Sequence, residues 1–555
     1  MTPDHDNGLE TLDPRLTLHD PVSQLASERL GIPYLFPYQR IVVANILDRA
    51  FAAAADSNDS HEIVDSHDRP RTQLVILPTG AGKSLCFQLP SLLLPGLTVV
   101  VFPLLSLIED QRRRLAELGI PGVVLRGGQT HAERERALAA CRDGSVRIVL
   151  TNPETALTEP ILAALARARV THIVIDEAHC VSEWGETFRP RYLELYTLCQ
   201  RLPTAAVTAF TATASPVIRE GIVRHLFSGE DPQLVEGLPD RPNIRYRVLS
   251  TLSTQYSLRR LLTRNSPDAV ERPAVVFCPT RRRSEETARL LRTVLDDQEI
   301  YFYHAGLTRE EKLDRERWFF ASTDGVLCAT TAYGMGVDKK NIRTVMHLEL
   351  SPSVESYLQE SGRAGRDGKP SAAVLLDPLG GPAGERARRE RTAFEQARAA
   401  MMRGYLTAAG CRREYLLSAL GAELEYCAGC DRCDGVAHER PERLEALLGF
   451  FAVHGAALSR KAAVATLGGL RDLTAQQHHA AERRGYGLLA GWTELELGEA
   501  LRGLERAGLL RTSRRGLFKG RLRLTPAGRR AAHGGRPGGD PAQRRGTGRR
   551  PALRS

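Results

Sequence analysis

The 555-residue sequence predicts an α/β protein with two parallel-sheet lobes, and three observations lead to this fold class. Short apolar strand patterns alternate with helical patterns in two successive series, as in parallel sheets covered by helices on both faces. A glycine-rich loop joins the first strand of the first series to a helix, an arrangement typical of phosphate-binding folds. The length leaves room for roughly three to four domains with sizeable cores.

The start of the chain is acidic and contains several prolines, and we expect residues 1–23 to be disordered. It lacks the apolar core of a secretory signal. The most apolar window, residues 89–108, is interrupted by three prolines and a glycine, which argues against a membrane span. Six of the ten cysteines lie in apolar or motif-bearing segments, which fits a reducing compartment. The prediction is a cytoplasmic protein, associated with the nucleoid if its source is bacterial.

Positive charge is concentrated near the C-terminus. The net charge is +10, yet from Leu501 onward 16 Lys and Arg residues stand against 2 Asp and Glu, so the preceding chain is slightly acidic. Residues 533–555 carry six arginines and one aspartate among Gly and Pro, and we expect a basic disordered tail there. This distribution predicts a polyanionic partner for the C-terminal end.

The first series of strand and helix patterns predicts a lobe over residues 24–238. A helical pattern at 41–47 precedes the first strand, and the polar, acidic residues 55–72 between them are typical of a surface insertion. The strand patterns of this lobe cover residues 74–77, 97–102, 123–125, 146–151, 170–175 and 205–210.

The stretch LVILPTGAGKS, residues 74–84, combines a strand, a tight turn and a helix start. Backbone N–H groups of such a turn and the dipole of the following helix point at a bound anion. Lys83 would reach the β- and γ-phosphates of a nucleotide, and the Ser84 hydroxyl would bind Mg²⁺. Leu77 stands where the strict pattern has glycine. The turn residues predicted to contact phosphate are Thr79, Gly80 and Gly82.

A second acidic element supports this interpretation. The apolar strand at 170–175 ends in Asp176 and Glu177. Asp176 can hold Mg²⁺, and Glu177 can orient or deprotonate an attacking water. A strand followed by an acidic helix start is common alone, but both elements in this order predict a P-loop nucleotide hydrolase.

The second series predicts a further lobe over residues 239–378. It has no phosphate loop of its own, but it ends in QESGRAGRDG, in which Arg363 and Arg366 are three residues apart and would share one helix face. Two guanidinium groups opposite a phosphate loop can stabilise charge on a transferring γ-phosphoryl group. A solvated basic patch is the alternative, although the neighbouring Gly362 and Gly365 favour a close approach. The strand patterns cover residues 274–278, 300–303, 326–329, 345–348 and 373–376.

On these residues the chain resembles the RecQ family of DNA helicases, in superfamily 2, from about residue 34 to 377 and more weakly to about 530. The segments that carry the resemblance are PTGAGKSLCFQLP, VVFPLLSLIEDQ, DEAHCVSEWGETFRPRY, TATAS, HAGL, TTAYGMGVDKKNIR and ESYLQESGRAGRDG. The resemblance implies two RecA-like lobes with ATP between them and ATP-driven 3′-to-5′ translocation on single-stranded DNA. It also implies duplex unwinding, in DNA repair or recombination.

The resemblance implies specific roles for residues of this chain. Lys83 and Ser84 would contact phosphate and Mg²⁺, with Asp176 as the metal residue and Glu177 as the catalytic base. Arg363 and Arg366 would reach the γ-phosphate. Gln39 would bind the adenine edge, although Ile32 and Phe36 replace the family's aromatic ring and arginine. Further implied positions are Gly336 and Asp338 facing nucleotide and DNA, Thr211 and Thr213 coupling hydrolysis to lobe movement, and Thr151 contacting DNA.

The loop after the Asp-Glu-Ala-His box is rich in aromatic residues. There Trp184, Phe188 and Arg189 would contact DNA, because exposed rings stack on bases whatever their identity, each contributing roughly 1–3 kcal/mol. A core stripe is the alternative for two aromatics four residues apart. The chain has Glu183 and Glu186 where the family usually has Gln and His, which would weaken or retune DNA coupling.

Four cysteines predict a metal site within a helical subdomain at residues 379–440. Three have the spacing Cys-x2-Cys-x2-Cys, and a fourth lies sixteen residues earlier. Four thiolates close a tetrahedral shell, which indicates structural zinc. An iron–sulfur cluster is the main rival, but the Cys-Pro ending of the ferredoxin pattern is absent. The predicted ligands are Cys411, Cys427, Cys430 and Cys433.

Residues 441–532 resemble the winged-helix domain that follows zinc in the family. Thr493 with Glu496 predicts a capping box that opens a helix. Strand patterns at 509–512 and 521–524 flank a basic tip with Phe518, which suits DNA backbone contact or strand separation. A solvated hairpin remains an equal alternative. No further folded module is expected, so the extra C-terminal module of many relatives, of the HRDC type, would be missing.

Two function hypotheses follow from the sequence. The first is an ATP-dependent 3′–5′ DNA helicase that uses ATP, Mg²⁺ and zinc and acts on single-stranded, tailed or branched DNA. The second is a DNA-binding regulator or translocase whose motor no longer unwinds. The complete set of nucleotide-site residues favours the first.

Overall fold

The computed structural model describes residues 21–55, 71–78, 80–183, 190–237, 240–333, 339–381, 393–455, 457–471, 476, 479–513 and 520–532, and the structural statements below concern these residues.

The first lobe is a seven-stranded parallel sheet with helices on both faces. Its strands are β1 (Thr72–Ile76), β2 (Leu97–Val101), β3 (Gly122–Leu125), β4 (Ile148–Thr151), β5 (Val170–Ile175), β6 (Ala206–Thr211) and β7 (Gln233–Glu236). Its helices are α1 (Pro21–Leu30), α2 (Pro37–Ala55), α3 (Lys83–Ser91), α4 (Leu105–Glu117), α5 (His131–Asp143), α6 (Pro153–Ala156), α7 (Glu159–Arg167), α8 (Cys180–Glu183), α9 (Pro190–Leu193), α10 (Leu195–Arg201) and α11 (Pro216–Leu226).

The strand order of this sheet brings the functional segments to one edge. The order is β3-β4-β2-β5-β6-β1-β7, with all pairs parallel. Along β1, Leu74 and Ile76 pack into one core cluster, whereas Val75 and Leu77 pack into the cluster on the opposite face. Because parallel strands end at the same edge, the loops after β1, β5 and β6 lie side by side there.

The second lobe is a six-stranded parallel sheet in the order β10-β11-β9-β12-β13-β8. Apolar clusters cover both of its faces. Its strands are β8 (Ile244–Thr251), β9 (Ala274–Phe277), β10 (Ile300–Tyr303), β11 (Val326–Ala329), β12 (Thr344–His347) and β13 (Ser371–Pro378), and its helices are α12 (Thr254–Leu262), α13 (Arg281–Leu295), α14 (Arg309–Ala321) and α15 (Val354–Ser361). The two lobes confirm the predicted α/β class.

The C-terminal part is mainly helical and contains a short antiparallel hairpin before its last helix. Its elements are α16 (Ala393–Thr407), α17 (Arg412–Ser418), α18 (Leu444–His454), α19 (Arg460–Gly468), α20 (Glu494–Arg506), β14 (Leu510–Thr512), β15 (Leu522–Leu524) and α21 (Pro526–Ala532). The predicted capping box is confirmed, because the Thr493 side chain accepts from the Glu496 N–H and the Glu496 side chain accepts from the Thr493 N–H.

Helix α20 docks on α12 of the second lobe through buried polar contacts. Arg259 donates to both carboxylate oxygens of Glu496, at 2.8 and 2.9 Å. The Ser253 hydroxyl donates to Glu499 at 2.7 Å. The rings of Tyr256 and Trp492 stack with their centroids 3.9 Å apart. These contacts hold the C-terminal helices against the second lobe.

One boundary and two strands differ from the sequence prediction. Helix α1 begins at Pro21, so residues 21–23 are helical rather than disordered. Proline suits a first helical turn because its φ is already helical, and Ala26 and Leu30 bury one face of this helix. Strands β7 and β8 were not predicted. The β8 sequence is interrupted by Arg245 and Arg247, whose side chains do not face the core of this edge strand.

The apolar window at 89–108 contains the end of α3, the buried strand β2 and the start of α4. Among the helices within the described ranges, none combines the length and apolar character needed to cross a membrane.

Candidate active site and metal centre

The loop after β1 has the conformation of a phosphate cradle. Gly80 and Gly82 have φ of 90° and 77°, the left-handed region that favours glycine. A Cβ at Gly82 would lie 2.6 Å from Nε2 of Gln39, so this position also requires a close approach. No side chain caps α3 at Gly82, which leaves its first N–H groups able to bind an anion.

The side chains at the start of α3 connect to the core beneath them. Lys83 Nζ donates to the Leu77 carbonyl at 3.1 Å. Gln111 Nε2 donates to Ser84 Oγ at 3.3 Å, and Gln111 in turn accepts from Gln88 at 3.1 Å. Leu77 is fully buried in the core on one face of the sheet. This burial explains how the loop forms without the glycine of the strict pattern.

Asp176 and Glu177 follow β5 at the same edge of the sheet. Burial, and next the charge of Glu177, raise the pKa of Asp176 to about 7, while Lys83 acts in the opposite direction. A bound divalent cation would favour its ionised form. Glu177 has φ of 51°, an uncommon conformation for a residue with a side chain. Such conformations are concentrated at functional sites.

His179 connects Glu177 to the loop after β6. Its Nδ1 lies 3.3 Å from Glu177 Oε2 and 3.1 Å from the Thr211 hydroxyl. The Thr211 hydroxyl donates to the Thr213 carbonyl at 3.0 Å. Both threonines are buried. A displacement of the Thr211–Thr213 segment would therefore be transmitted to the Glu177 carboxylate through one imidazole ring.

Arg363 of the second lobe faces this site. It is 4% exposed, and its buried Nε makes no hydrogen bond within the described residues. Burial, and then the nearby Arg366, lower the pKa of Arg363 to about 10, with Glu177 among the charges acting on it. The guanidinium therefore stays charged at neutral pH. The two arginines lie in a series of turns after α15, not on a helix as the sequence predicted.

Gln39 lies directly beneath the phosphate loop. Its side chain is buried, its Oε1 accepts from the Phe36 N–H at 3.0 Å, and its Nε2 donates to the Ala81 carbonyl at 3.0 Å. The Phe36 ring is half exposed and stacks on Tyr38 with centroids 5.5 Å apart. Gln39 therefore supports the loop, and an exposed ring beside it can stack on a base.

We expect the Gln39 carboxamide to favour ATP over GTP by about ten- to a hundredfold in kcat/KM, since its second N–H and its second oxygen lone pair, not used by Ala81 and Phe36, match the acceptor and donor of an adenine edge. Gln39→Ala should weaken the binding of both nucleotides, because the phosphate loop loses its support. It should also reduce the preference for ATP over GTP. Steady-state hydrolysis of both nucleotides measures the ratio. Gln88→Ala is the control, expected to leave the ratio unchanged. A mutant at position 39 that discriminates like the wild type would remove Gln39 from this role.

Four cysteine side chains meet between α17 and the loop at 427–433. The sulfur atoms of Cys411, Cys427, Cys430 and Cys433 all lie within 4.8 Å of one another. Sγ of Cys411 and Cys430 are 3.9 Å apart. Thiolates at the ~2.3 Å Zn–S distance of a tetrahedral site stand about 3.8 Å apart, so the spacing fits a four-coordinate metal ion.

Backbone N–H groups favour the thiolate form of Cys430, whereas burial is the first cause that raises the pKa of Cys411 and of Cys433. The N–H groups of Glu414 and Cys433 donate to Cys411 Sγ and Cys430 Sγ at 3.5 and 3.4 Å. Burial acts to raise the pKa of Cys430, but surrounding N–H groups, that of Cys433 first, outweigh it and lower that pKa. A lowered pKa favours the form that binds metals.

Asp431 attaches the cysteine cluster to the edge of the second lobe. It accepts from Arg412 Nε at 3.0 Å and from the Val248 N–H of β8 at 2.9 Å. Its own N–H donates to the Tyr246 carbonyl at 3.0 Å. The loop at 427–433 therefore extends the sheet at β8.

Several predicted residues lie outside the described ranges. They are Thr79, Trp184, Phe188, Arg189, Gly336, Asp338 and Phe518. The predicted surface insertion, apart from its ends, and the basic tail also lie outside them. Thr151 is described, and its side chain is fully buried at the end of β4. That burial argues against the predicted direct contact with DNA, since its hydroxyl donates instead to the Asn152 carbonyl at 3.4 Å.

His179 and Gln111 had no predicted role. Both lie in segments that carry the family resemblance, but their contacts join residues 32 and 27 positions apart. Only the strand order brings these partners together. A histidine two positions after the second site carboxylate was nevertheless a usable signal.

Comparison with known proteins agrees with this arrangement. The DEAD/DEAH box helicase model matches residues 38–220, and the helicase conserved C-terminal domain model matches residues 257–368. The solved structure of the DUF1998 helicase MrfA bound to DNA is similar in fold, with a TM-score of 0.51 at 17% identity, covering 91% of this chain and 62% of that one. The two sheets are therefore RecA-like lobes.

Two curated relatives carry the name ATP-dependent DNA helicase RecQ. The protein from Pasteurella multocida is 33% identical over 396 residues, 70% of this chain and 62% of the relative. The Synechocystis protein is 35% identical over 328 residues, 58% of this chain and 68% of the relative. The match thus spans less than two thirds of the Pasteurella protein. The chain belongs to the RecQ family of helicases.

Proposed function

We propose that this protein is an ATP-dependent DNA helicase that moves 3′ to 5′ on single-stranded DNA and unwinds duplexes, in DNA repair or recombination. The observation that carries the proposal is the buried Arg363 of the second lobe, whose charged guanidinium interacts with Glu177 of the first. Hydrolysis that requires both lobes can drive their relative movement. The names of the RecQ relatives support DNA as the substrate.

In this proposal ATP binds between the lobes with its phosphates on the loop before α3. Lys83 contacts the β- and γ-phosphates, and Ser84 and Asp176 would hold Mg²⁺, which would neutralise charge on the phosphates. Glu177 accepts a proton from the attacking water. Arg363 and Arg366 stabilise charge on the γ-phosphoryl group as the bond breaks. Other residues assigned to the nucleotide are Gln39, Thr79, Gly80, Gly82, Gly336 and Asp338.

The coupling of hydrolysis to movement is assigned to the loop after β6. The His179 contact to Thr211 gives this assignment a physical basis, because the same ring faces Glu177. Thr211 and Thr213 would shift as the γ-phosphate is lost. That movement would be transmitted to the aromatic-rich segment after α8, to which DNA contact is assigned below.

DNA contact is assigned to the aromatic-rich segment, where Trp184 and Phe188 stack on bases and Arg189 contacts phosphate. The C-terminal helices and hairpin, residues 441–532, are proposed to be a winged helix whose tip carries Phe518. Three further basic residues at this tip suit the DNA backbone. The proposed domain limits are 24–238, 239–378, 379–440 and 441–532.

Zinc is the proposed metal at the four cysteines. A complete shell of thiolates leaves no position for water, so the ion would be structural. The spacing of the sulfur atoms and the N–H groups around Cys430 support this choice. Its role would be to hold the loop at 427–433 on the edge of the second lobe.

Strand displacement tests the proposed function. A 3′-tailed duplex should be unwound only with ATP and Mg²⁺, whereas 5′-tailed and blunt duplexes should not, and single-stranded DNA should stimulate hydrolysis. Lys83→Ala is the inactive control. DNA-stimulated hydrolysis without displacement on any tailed or branched duplex would favour the alternative, a DNA-binding translocase or regulator that no longer unwinds. A panel of branched DNA substrates would also identify the preferred DNA structure.

A further inference from the structure

One arginine outside the assigned site binds the turn that carries Arg363. Arg241, at the start of the second lobe, donates through Nη1 to the Gly362 carbonyl at 3.0 Å. Its Nη2 donates to the carbonyls of Ala364 and Gly365 at 3.1 and 2.7 Å. Carbonyls beyond a helix end have no partner within the helix, and a guanidinium there also complements the helix dipole. Arg241 thus binds the backbone on both sides of Arg363.

Asn243 adds a second contact to the same turn. Its Nδ2 donates to the Gly365 carbonyl at 2.8 Å and to the Lys369 carbonyl at 2.9 Å. Gly365 has φ of 56°, and a Cβ there would lie 2.3 Å from that Nδ2. Glycine is required at this position because the segment at 241–243 packs so closely against the turn.

Arg241 is itself held by a buried arginine. Arg413 is 1% exposed, and its Nη1 donates to the Arg241 carbonyl at 3.0 Å and pairs with Asp240. Its Nη2 donates to the Ile244 carbonyl at 2.5 Å. Its guanidinium lies 5.2 Å from the centre of the Tyr246 ring. Planar, multiply bonded arginines of this kind fix geometry more firmly than lysine does.

We propose that Arg241 is a positioning residue for ATP hydrolysis: it fixes the turn that directs Arg363 at the γ-phosphate, and Arg413 fixes Arg241. The inference rests on the proposed function, since it concerns the role assigned there to Arg363. It follows from the geometry because the buried Nε of Arg363 has no hydrogen-bond partner in the described part of the chain. The orientation of the Arg363 side chain therefore depends on the backbone that Arg241 binds.

The expected signature is a lower kcat with an unchanged KM for ATP. Arg363 acts on charge that develops in the transition state, whereas ATP binds mainly to the loop of the first lobe. A misplacement of about 1 Å can reduce a rate about a hundredfold. We therefore expect Arg241→Ala to lower kcat by roughly ten- to a hundredfold, and Arg241→Lys, which keeps the charge without the planar fork, to lose less.

A double-mutant cycle separates positioning from general damage. If Arg241 acts through Arg363, then adding Arg241→Ala to Arg363→Ala should change the single-turnover rate by less than about twofold. If the two losses multiply, the proposal is overturned. Arg245→Ala is the matched control, because Arg245 lies four residues further along the chain, on β8, but is largely exposed and pairs with Asp434. It should keep wild-type kcat.

The remaining outcomes are also decisive. Wild-type kcat in Arg241→Ala, or a raised KM with kcat unchanged, would overturn the inference. If Arg241→Ala does not fold, Arg241→Lys alone and with Arg363→Ala provides the same cycle, with folding verified by thermal unfolding. A wild-type protein without any ATPase activity would instead overturn the proposed function, so the two failures are distinguishable.

Discussion

Glu177→Gln is expected to bind ATP normally and to hydrolyse it about 10²–10⁴-fold more slowly than the wild type, which is the range for loss of a general base. The amide has nearly the same shape as the carboxylate but cannot take a proton from water. The contact of Glu177 with His179, at 3.3 Å, can be kept by the amide oxygen. Single-turnover hydrolysis and equilibrium binding of a fluorescent ATP analogue measure the two properties separately.

Two variants accompany this measurement. Lys83→Ala should lose nucleotide binding as well as hydrolysis, because Lys83 supplies the positive charge at the start of α3. Glu159→Gln is the control, since Glu159 is an exposed residue of the same lobe that pairs with Arg201 at its surface. Normal turnover by Glu177→Gln would show that another group is the base.

The two sheets were predictable because most of their strands are buried on both faces and form continuous apolar runs. Strand β8 does not form a continuous apolar run, because it lies at a sheet edge. Its buried residues Ile244, Tyr246 and Val248 alternate with Arg245 and Arg247. This period of two was present in the sequence, but the two arginines interrupt the apolar run by which the other strands were recognised. Strand β8 is also the one to which the cysteine cluster attaches.

The site was predictable where its chemistry follows from neighbouring residues. Lys83, Ser84, Asp176 and Glu177 each lie within or next to a strand-and-loop pattern. Arg241 was not predictable, because its three acceptors lie more than 120 positions away along the chain. The contact between His179 and Thr211, 32 positions apart, was hidden for the same reason. Such partners require the strand order, which no local pattern specifies.

The second large effect is expected at the metal centre. Cys430→Ser should leave purified protein with far less than one zinc per chain and should unfold the segment around 411–433. Structural zinc contributes on the order of 10 kcal/mol in small zinc domains, whereas burying one poorly bonded hydroxyl costs about 1–3 kcal/mol. The loss of the metal therefore accounts for most of the expected loss of folding free energy. Because Cys430 is fully buried and its neighbour Asp431 bonds β8, the damage should reach the lobe edge.

The lobes have cores of their own, so we expect this variant to keep ATP affinity while it loses solubility and DNA binding. Elemental analysis, limited proteolysis and DNA titration measure these effects. Cys328→Ser is the matched control, because Cys328 is equally buried in the second lobe but lies outside the cluster. It should keep its metal even if it is less stable. Full zinc in Cys430→Ser would contradict the ligand assignment, and a coloured, iron-containing wild type would indicate a cluster instead, since zinc has no visible absorption.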